Sequence, residues 1–443
     1  MKVPETGGVP TPLTALAAGE RRHGWPQILP GGKAVLFTAM AGGGREDGNN
    51  VAVVSLVDKS RKELVRGAFF ARYAPSGHLL YFSRDTLFAV RFDSEKLEVK
   101  GAPVPVIDGI DVASFSSSAH FDVSASGTAI YRTGGPGSGL TVQWMDATGA
   151  VEPILTTPGV VYRRPRLSRD GQYLAVTQVD GSNLDIWTFD FRRKTPNRLT
   201  FKGGDGPLWT PDGRFILFKS DTGISWVRSD GGQAPQPLVN AKNNTGSAYP
   251  NSFAPDGKRL AYFESTGGTY DLWTVAIDND GAGLKAAKPE AFLQTPVDER
   301  HPAFSPDGRW IAYSSAESGT FQIYVRAFPD KGGKWQIPNG AGVYPNWSRD
   351  GQELFFRTGD NQVMVASYSV TGDSFSAAPA RAWSERRLAN IGTIANYDVA
   401  PDGKRILAIL PAESETGAET ASHHVTFLEN FFDELRRLAP PQR

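Results

Sequence analysis

The side chains best suited to metal or acid–base chemistry are six histidines: His23, His78, His120, His301, His423 and His424. None forms a short metal-spacing motif. Cysteine is absent, which removes thiolate nucleophiles, disulfides and Cys-ligated zinc. A serine hydrolase needs its Ser on a sharp elbow, commonly Gly-x-Ser-x-Gly, and the sequence has none. Walker-type phosphate loops, His-Glu-x-x-His and the kinase motifs (the Gly-rich loop, His-Arg-Asp and Asp-Phe-Gly) are missing too. Asp278-Asn-Asp-Gly281 opens like a calcium loop, but Pro289 holds the twelfth position where such a loop places Glu. It reads as a hairpin loop. No catalytic residue, metal or cofactor is therefore expected.

Composition points the same way. Lys plus Arg and Asp plus Glu number 47 each among 443 residues, so no global charge favours nucleic acid or an anionic membrane. No apolar run approaches the ~20 residues of a membrane span, and Met1 to Pro12 lacks the apolar stretch of a signal peptide. Apolar residues make up 40%, enough for a substantial core, and the abundant glycines and prolines suit many short strands joined by tight turns.

What positions any site is an internal repeat. Its clearest copies are Leu208-Trp-Thr-Pro-Asp-Gly-Arg-Phe-Ile-Leu-Phe218, Ser252-Phe-Ala-Pro-Asp-Gly-Lys-Arg-Leu-Ala-Tyr262 and Ala303-Phe-Ser-Pro-Asp-Gly-Arg-Trp-Ile-Ala-Tyr313. Aligned on the turn glycine, nine copies fall at Gly32, Gly77, Gly127, Gly171, Gly213, Gly257, Gly308, Gly351 and Gly403, spaced by 42 to 52 residues. That period is one four-stranded propeller blade. Four residues before the glycine stands an apolar residue in every copy, and three after it an aliphatic one. Two buried anchors around a polar turn make a β-hairpin. Asp tolerates the turn and bonds nearby backbone, and Gly takes a positive φ without penalty. The Pro-Asp-Gly aspartates thus read as turn formers, not calcium ligands, and Trp209, Phe304 and Trp347 as buried anchors.

The predicted fold is all-β: a single β-propeller over 1–443 with seven to nine blades. The last hairpin has a third strand at Val425 to Phe427 and no fourth. Pro10 to Thr14 looks like the missing strand, so residues 1–16 are expected to close the blade of Gly403, with blades over 17–427. Leu428, Phe431, Phe432, Leu435 and Leu438 recur at helical spacing, predicting a short helix over 428–438 with Arg436 and Arg437 on its polar side. Gly134 to Gly139 and Glu413 to Thr420 read as long loops within blades.

Position seven before the glycine should lie by the mouth of the central channel. It is occupied by Trp25, Phe70, His120, Arg164, Gly206, Tyr249, His301, Tyr344 and Asn396. Anchors and turns repeat, whereas this position varies, so specificity can reside there. Trp25, Arg164, Tyr249, His301 and Tyr344 are the candidate ligand-binding residues. Arg164 could grip a carboxylate, with Trp25 and Tyr344 giving apolar contact.

The Ser/Ala-Pro-Asp-Gly-Lys/Arg repeat with its following apolar residues resembles the TolB-like (WD-repeat-like) propeller family along essentially the whole chain. Trp25-Pro-Gln-Ile-Leu-Pro-Gly-Gly, Tyr324-Val-Arg-Ala-Phe-Pro, Gly333-Lys-Trp-Gln-Ile337 and Tyr344-Pro-Asn-Trp-Ser-Arg-Asp-Gly351 look more like propeller regions that follow bacterial serine/threonine kinase domains. In those proteins a cytoplasmic kinase and a membrane helix precede an extracytoplasmic propeller. Neither is in this chain, and whether they precede Met1 is left open. The resemblance implies a non-catalytic binding or sensing propeller outside the cytoplasm. Its partner would be a protein, peptide or small-molecule ligand at the channel mouth, within a signalling system or an envelope assembly. The alternative it implies is a metal-dependent, lyase-like propeller enzyme, whose channel would use His120 and His301.

Overall fold

The architecture comes from a computed structural model, which describes residues 1–3, 5–41, 48–113, 117–133, 140–157, 160–180, 183–242, 247–265, 268–411 and 425–440. His423, His424 and the loops at 134–139 and 413–420 lie outside the described residues. Apart from a 3-10 turn at Pro30–Gly32 and one helix, Phe431–Leu438, the regular structure is antiparallel strand arranged as propeller blades.

All nine expected hairpins form, and their turn glycines take φ from +66° (Gly403) to +94° (Gly127). The local chemistry explains why. In the six hairpins from Gly171 to Gly403 the aspartate before the glycine accepts the backbone N–H two residues on, at 2.9–3.2 Å. In four of them a Ser or Thr (Ser168, Thr210, Ser305, Ser348) donates to that aspartate. The same hydroxyl accepts the N–H that opens the second strand. Each turn thus satisfies its own polar groups and holds two apolar arms in register. Leu174, Ile216, Leu260, Ile311, Leu354 and Ile406, three after the glycine, are wholly buried, and Trp209, Phe304 and Trp347 are buried as expected. Ile28 departs from the pattern and is 68% exposed.

The blades belong to two compact units: Met1–Ser138 with Glu413–Arg443, and Gly139–Ala412. The first holds two four-stranded sheets, on the Gly32 and Gly77 hairpins, and a three-stranded sheet on the Gly127 hairpin. Its helix is one turn shorter at the start than predicted. Phe431 and Leu435 bury into the core with Phe82 and Phe121, and Arg436 and Arg437 pair outward with Asp433 and Glu434.

The second unit holds six blades, on the hairpins from Gly171 to Gly403. Their innermost strands are Val161–Leu167, Asp205–Trp209, Ala248–Phe253, Glu299–Phe304, Val343–Trp347 and Tyr397–Val399. Each contacts the next, and the last contacts the first, so this unit is a closed six-bladed ring. Across the closing seam, Arg164 N–H donates to the Ala395 carbonyl at 2.9 Å and Leu167 N–H to Asp398 Oδ2 at 2.7 Å.

Closure by the N-terminal segment is corrected by the strand pairing. The blade of Gly403 is completed by Leu140–Asp146, paired from Leu140↔Pro411 to Asp146↔Arg405, with Val151–Leu155 outside it. Thr11 makes only an isolated bridge, to Lys2. Val425–Leu428, expected in the blade of Gly403, pairs instead with Ala129–Arg132 of the Gly127 sheet. Leu140–Asp146 carries Val142, Trp144 and Met145 into the core, apolar burial that the polar, proline-flanked segment 10–14 cannot match.

Candidate binding channel of the six-bladed unit

Four of the six innermost strands are interrupted just where the aligned residues stand. Arg164, His301 and Tyr344 have left-handed backbone, φ +55°, +58° and +60°, and Gly206 has φ +68°. Strand pairing slips at the same places, between Arg163 and Arg166, Asp205 and Leu208, Arg300 and Ala303, and Val343 and Asn346. These are β-bulges that re-aim one side chain per blade. For a residue with a Cβ the conformation costs on the order of 1–3 kcal/mol, which the packing around it must offset. In the first unit, Trp25 and Phe70 show the same backbone, φ +54° and +49°, and their rings meet edge-on at 5.1 Å.

Of the five candidates, Arg164, Tyr249, His301 and Tyr344 come together in the six-bladed unit, and Trp25 lies in the other unit. The four form a packed layer. The Arg164 guanidinium lies over the Tyr249 ring at 5.2 Å, Tyr249 stacks on Phe263 at 5.0 Å, Phe263 meets His301 at 5.2 Å, and His301 meets Tyr344 at 3.8 Å. The Tyr344 hydroxyl donates to the Thr393 carbonyl, and the fully buried Asn396 donates to the Ala389 carbonyl at 2.9 Å.

Asp205, beside Gly206, is the charge that organises this layer. Its carboxylate lies 3.4 Å from Arg163 Nε and 3.3 Å from Arg164 Nε, and accepts the Thr177 hydroxyl at 3.1 Å. Burial alone would raise its pKa; Arg163, Arg164, Lys219 and the Thr177 bond outweigh that and hold it at about 2. Burial works against the charge of Arg164, but Asp205 and the phenols of Tyr344 and Tyr249 keep its proton bound more tightly than usual. The carboxylate that Arg164 grips is therefore the protein's own. His301 is held well below its usual pKa, first by burial and then by Arg300, Arg164, Arg357 and Arg166, and stays neutral. Arg357, buried with no carboxylate partner among the described residues, donates to the carbonyls of Ile394 and Gly392 and to Asn361.

Two residues further along the same strands the channel opens. A funnel of about 330 Å³ reaches the residues beside the Asp-Gly turns, and all six blades line it. Trp209, Phe304 and Trp347 contribute rings, Asn251 and Asn346 contribute amides, and Arg166, Arg169, Arg349 and Asp398 contribute charge. Asp398 accepts from Asn346 Nδ2 at 2.7 Å and faces Arg166 Nη1 at 3.3 Å. Sequence reasoning missed the funnel because it followed one alignment position. The available signal was a break in the repeat: Arg169 and Arg349 stand where other turns have proline.

Among the described residues no group of three or more His, Asp or Glu side chains is placed to hold a metal ion. His120 belongs to the first unit, where its Nδ1 lies 3.0 Å from Asp111, whereas His301 belongs to the second. No helix among the described residues is long and apolar enough to cross a membrane.

No known family profile matches the chain. The Tol-Pal system protein TolB of Anaeromyxobacter dehalogenans is 35% identical over 86 residues, which span 19% of this chain and 19% of that relative. Among solved structures, TolB from Acinetobacter baumannii is 15% identical with a TM-score of 0.40, covering 78% of this chain and 79% of its own. An oligogalacturonate lyase in complex with manganese is 16% identical with a TM-score of 0.38, covering 61% and 96%. The nine hairpins are built into propeller blades, and over those 86 residues the chain is similar in sequence to TolB.

Proposed function

We propose that the six-bladed unit is a non-catalytic binding module that takes a protein segment, peptide or small ligand into its turn-side funnel. One observation carries this reading: every blade contributes to an open cavity, while the layer beside it is filled by the protein's own side chains. The funnel mixes aromatic surface with a few placed polar groups, the usual makeup of a recognition site. The resemblance to kinase-linked propellers supports a role outside the cytoplasm, in a signalling or envelope system that supplies the partner.

The test is to fill the funnel. Asn251→Phe projects a ring from a half-buried lining position. Wild type and variant, matched for thermal stability, are titrated calorimetrically with a peptide and glycan panel and assayed for lactone hydrolysis and uronate elimination with added Mn²⁺. Saturable binding by wild type that the variant loses, without turnover, is the expected result. Turnover, or binding indifferent to the substitution, contradicts the reading.

A further inference from the structure

The six turns of the ring differ at one position. The residue before Asp-Gly is Pro211, Pro255, Pro306 and Pro401 in four of them, and Arg169 and Arg349 in the other two. Proline there presets the turn, and arginine gives up that advantage for a long cationic arm. Both arms reach inward. Arg169 and Arg349 line the funnel, where Arg169 Nη1 meets the Pro255 carbonyl at 3.4 Å and Arg349 Nη2 meets the Ser168 carbonyl at 3.3 Å. Each arm therefore leaves its own blade and lies across the rim.

Their charge is not neutralised there. The one carboxylate among the funnel-lining residues is Asp398, and its oxygens are taken by Arg166, Asn346 and the Leu167 N–H. The aspartates adjoining the two arginines, Asp170 and Asp350, are held inside their turns by Ser168 and Ser348. Among the described residues, each of these guanidiniums makes one hydrogen bond, to a main-chain carbonyl, out of five N–H donors. Crowding by the surrounding protein lowers the proton affinity of Arg349; Asp398 and, less strongly, Asp170 oppose this, and the charge of Arg169 adds to it. A cavity with two arginines at its rim that form no ion pair among the described residues attracts an anion and offers planar, bidentate donors suited to carboxylate.

We infer that the funnel recognises an acidic peptide segment, with Arg169 and Arg349 binding its carboxylates. A peptide fits better than a bare inorganic anion because the wall supplies what a peptide uses. Trp209, Phe304 and Trp347 give apolar surface, and Asn251 and Asn346 give amides for main-chain groups. The inference rests on the funnel being the binding surface, and the experiment separates the two.

Hexaglutamate, hexaglutamine and inorganic phosphate are titrated against the full chain, wild type and R169A/R349A, by calorimetry and by quenching of Trp209 and Trp347. The expected result is hexaglutamate binding that weakens as salt rises and that the double variant reduces at least tenfold at unchanged melting temperature. Equal binding of hexaglutamate and hexaglutamine, or no loss in the double variant, overturns the acidic preference and leaves the funnel reading standing. Phosphate binding as tight as hexaglutamate, with the same dependence on the two arginines, overturns the peptide assignment. If neither peptide binds, the acidic-peptide inference falls, and the Asn251→Phe titrations alone decide the funnel reading. Should the double alanine variant unfold, R169K/R349K replaces it, with loss of bidentate geometry lowering affinity for hexaglutamate but not hexaglutamine.

Discussion

The strand-start layer and the turn-side funnel draw on the same six strands, two residues apart, and meet opposite fates. At the first level Arg164, His301 and Tyr344, turned by their bulges, pack in one layer with Tyr249, and Asp205 gives the cations an internal counter-ion, so the layer closes on itself. At the second level Asn251, Ala303 and Asn346 stand two residues after Tyr249, His301 and Tyr344, smaller groups that leave space. The one carboxylate there satisfies one arginine, and two more remain. Convergence of unusual residues is thus not sufficient for a site. What decides is whether the partners of the polar groups are inside the protein or must come from outside.

Breaking the closed layer should have the largest effect. Asp205→Ala leaves Arg163 and Arg164 largely buried without their counter-ion, and should cost about 3–5 kcal/mol in denaturant unfolding. A loss below about 1 kcal/mol would mean that the layer is wetter than its packing indicates.

A second test is pH. Glu299 opens an innermost strand almost fully buried; burial first, and then Asp271, Glu317 and Asp298, push its pKa up to about 7 against the Thr295 hydrogen bond. A carboxyl raised on folding contributes stability that is complete below its unfolded value of 4.5 and is lost as pH rises through about 7. His301, lowered on folding, acts with the opposite sign, losing stability as pH falls below 6.5, so the informative quantity is a difference between variants. Glu299→Gln should gain on wild type as pH rises through 7, by about 2–3 kcal/mol at most. A constant difference across that range would place the carboxyl in water.

The open end should respond differently. Restoring the repeat's proline in R169P/R349P removes no backbone hydrogen bond among the described residues, since neither N–H is used as a donor. Stability should be unchanged or raised by about 0.4–1 kcal/mol, while the hexaglutamate preference is lost. The smallest effect is expected at the N-terminus. Because the ring closes with Leu140–Asp146, deleting residues 1–16 should leave the unfolding of the six-bladed unit, read at Trp209 and Trp347, unmoved.

Much of this was legible in the sequence because it is local. The four Ser/Thr–x–Asp–Gly turns satisfy themselves within five residues, and the apolar anchors flanking the glycine recur in all nine copies, so nine hairpins could be placed from spacing alone. The third strands of the Gly127 and Gly403 hairpins could not, because they join by edge pairing at long range. In strict chain order Leu140–Asp146 would follow the Gly127 hairpin and Val425–Leu428 the Gly403 hairpin. Both are short and apolar enough for either edge, and the protein uses them the other way round. The convergence of Arg164, Tyr249, His301 and Tyr344 followed from one alignment column. The neutralising Asp205 stood one column away, and the informative arginines stood in the column taken to hold turn formers.

The claim that the funnel, and not the layer beside it, is the recognition surface is tested most directly by indole NMR. Chain labelled with ¹⁵N-tryptophan is titrated with hexaglutamate while the side-chain N–H signals are followed. Trp209 and Trp347 line the funnel and donate to the carbonyls of Arg166 and Ala303 at 3.1 and 2.9 Å, so both indoles should shift together and saturate. Trp226, Trp273 and Trp310, in the blade cores, should stay in place. Binding that leaves Trp209 and Trp347 unmoved would contradict the account.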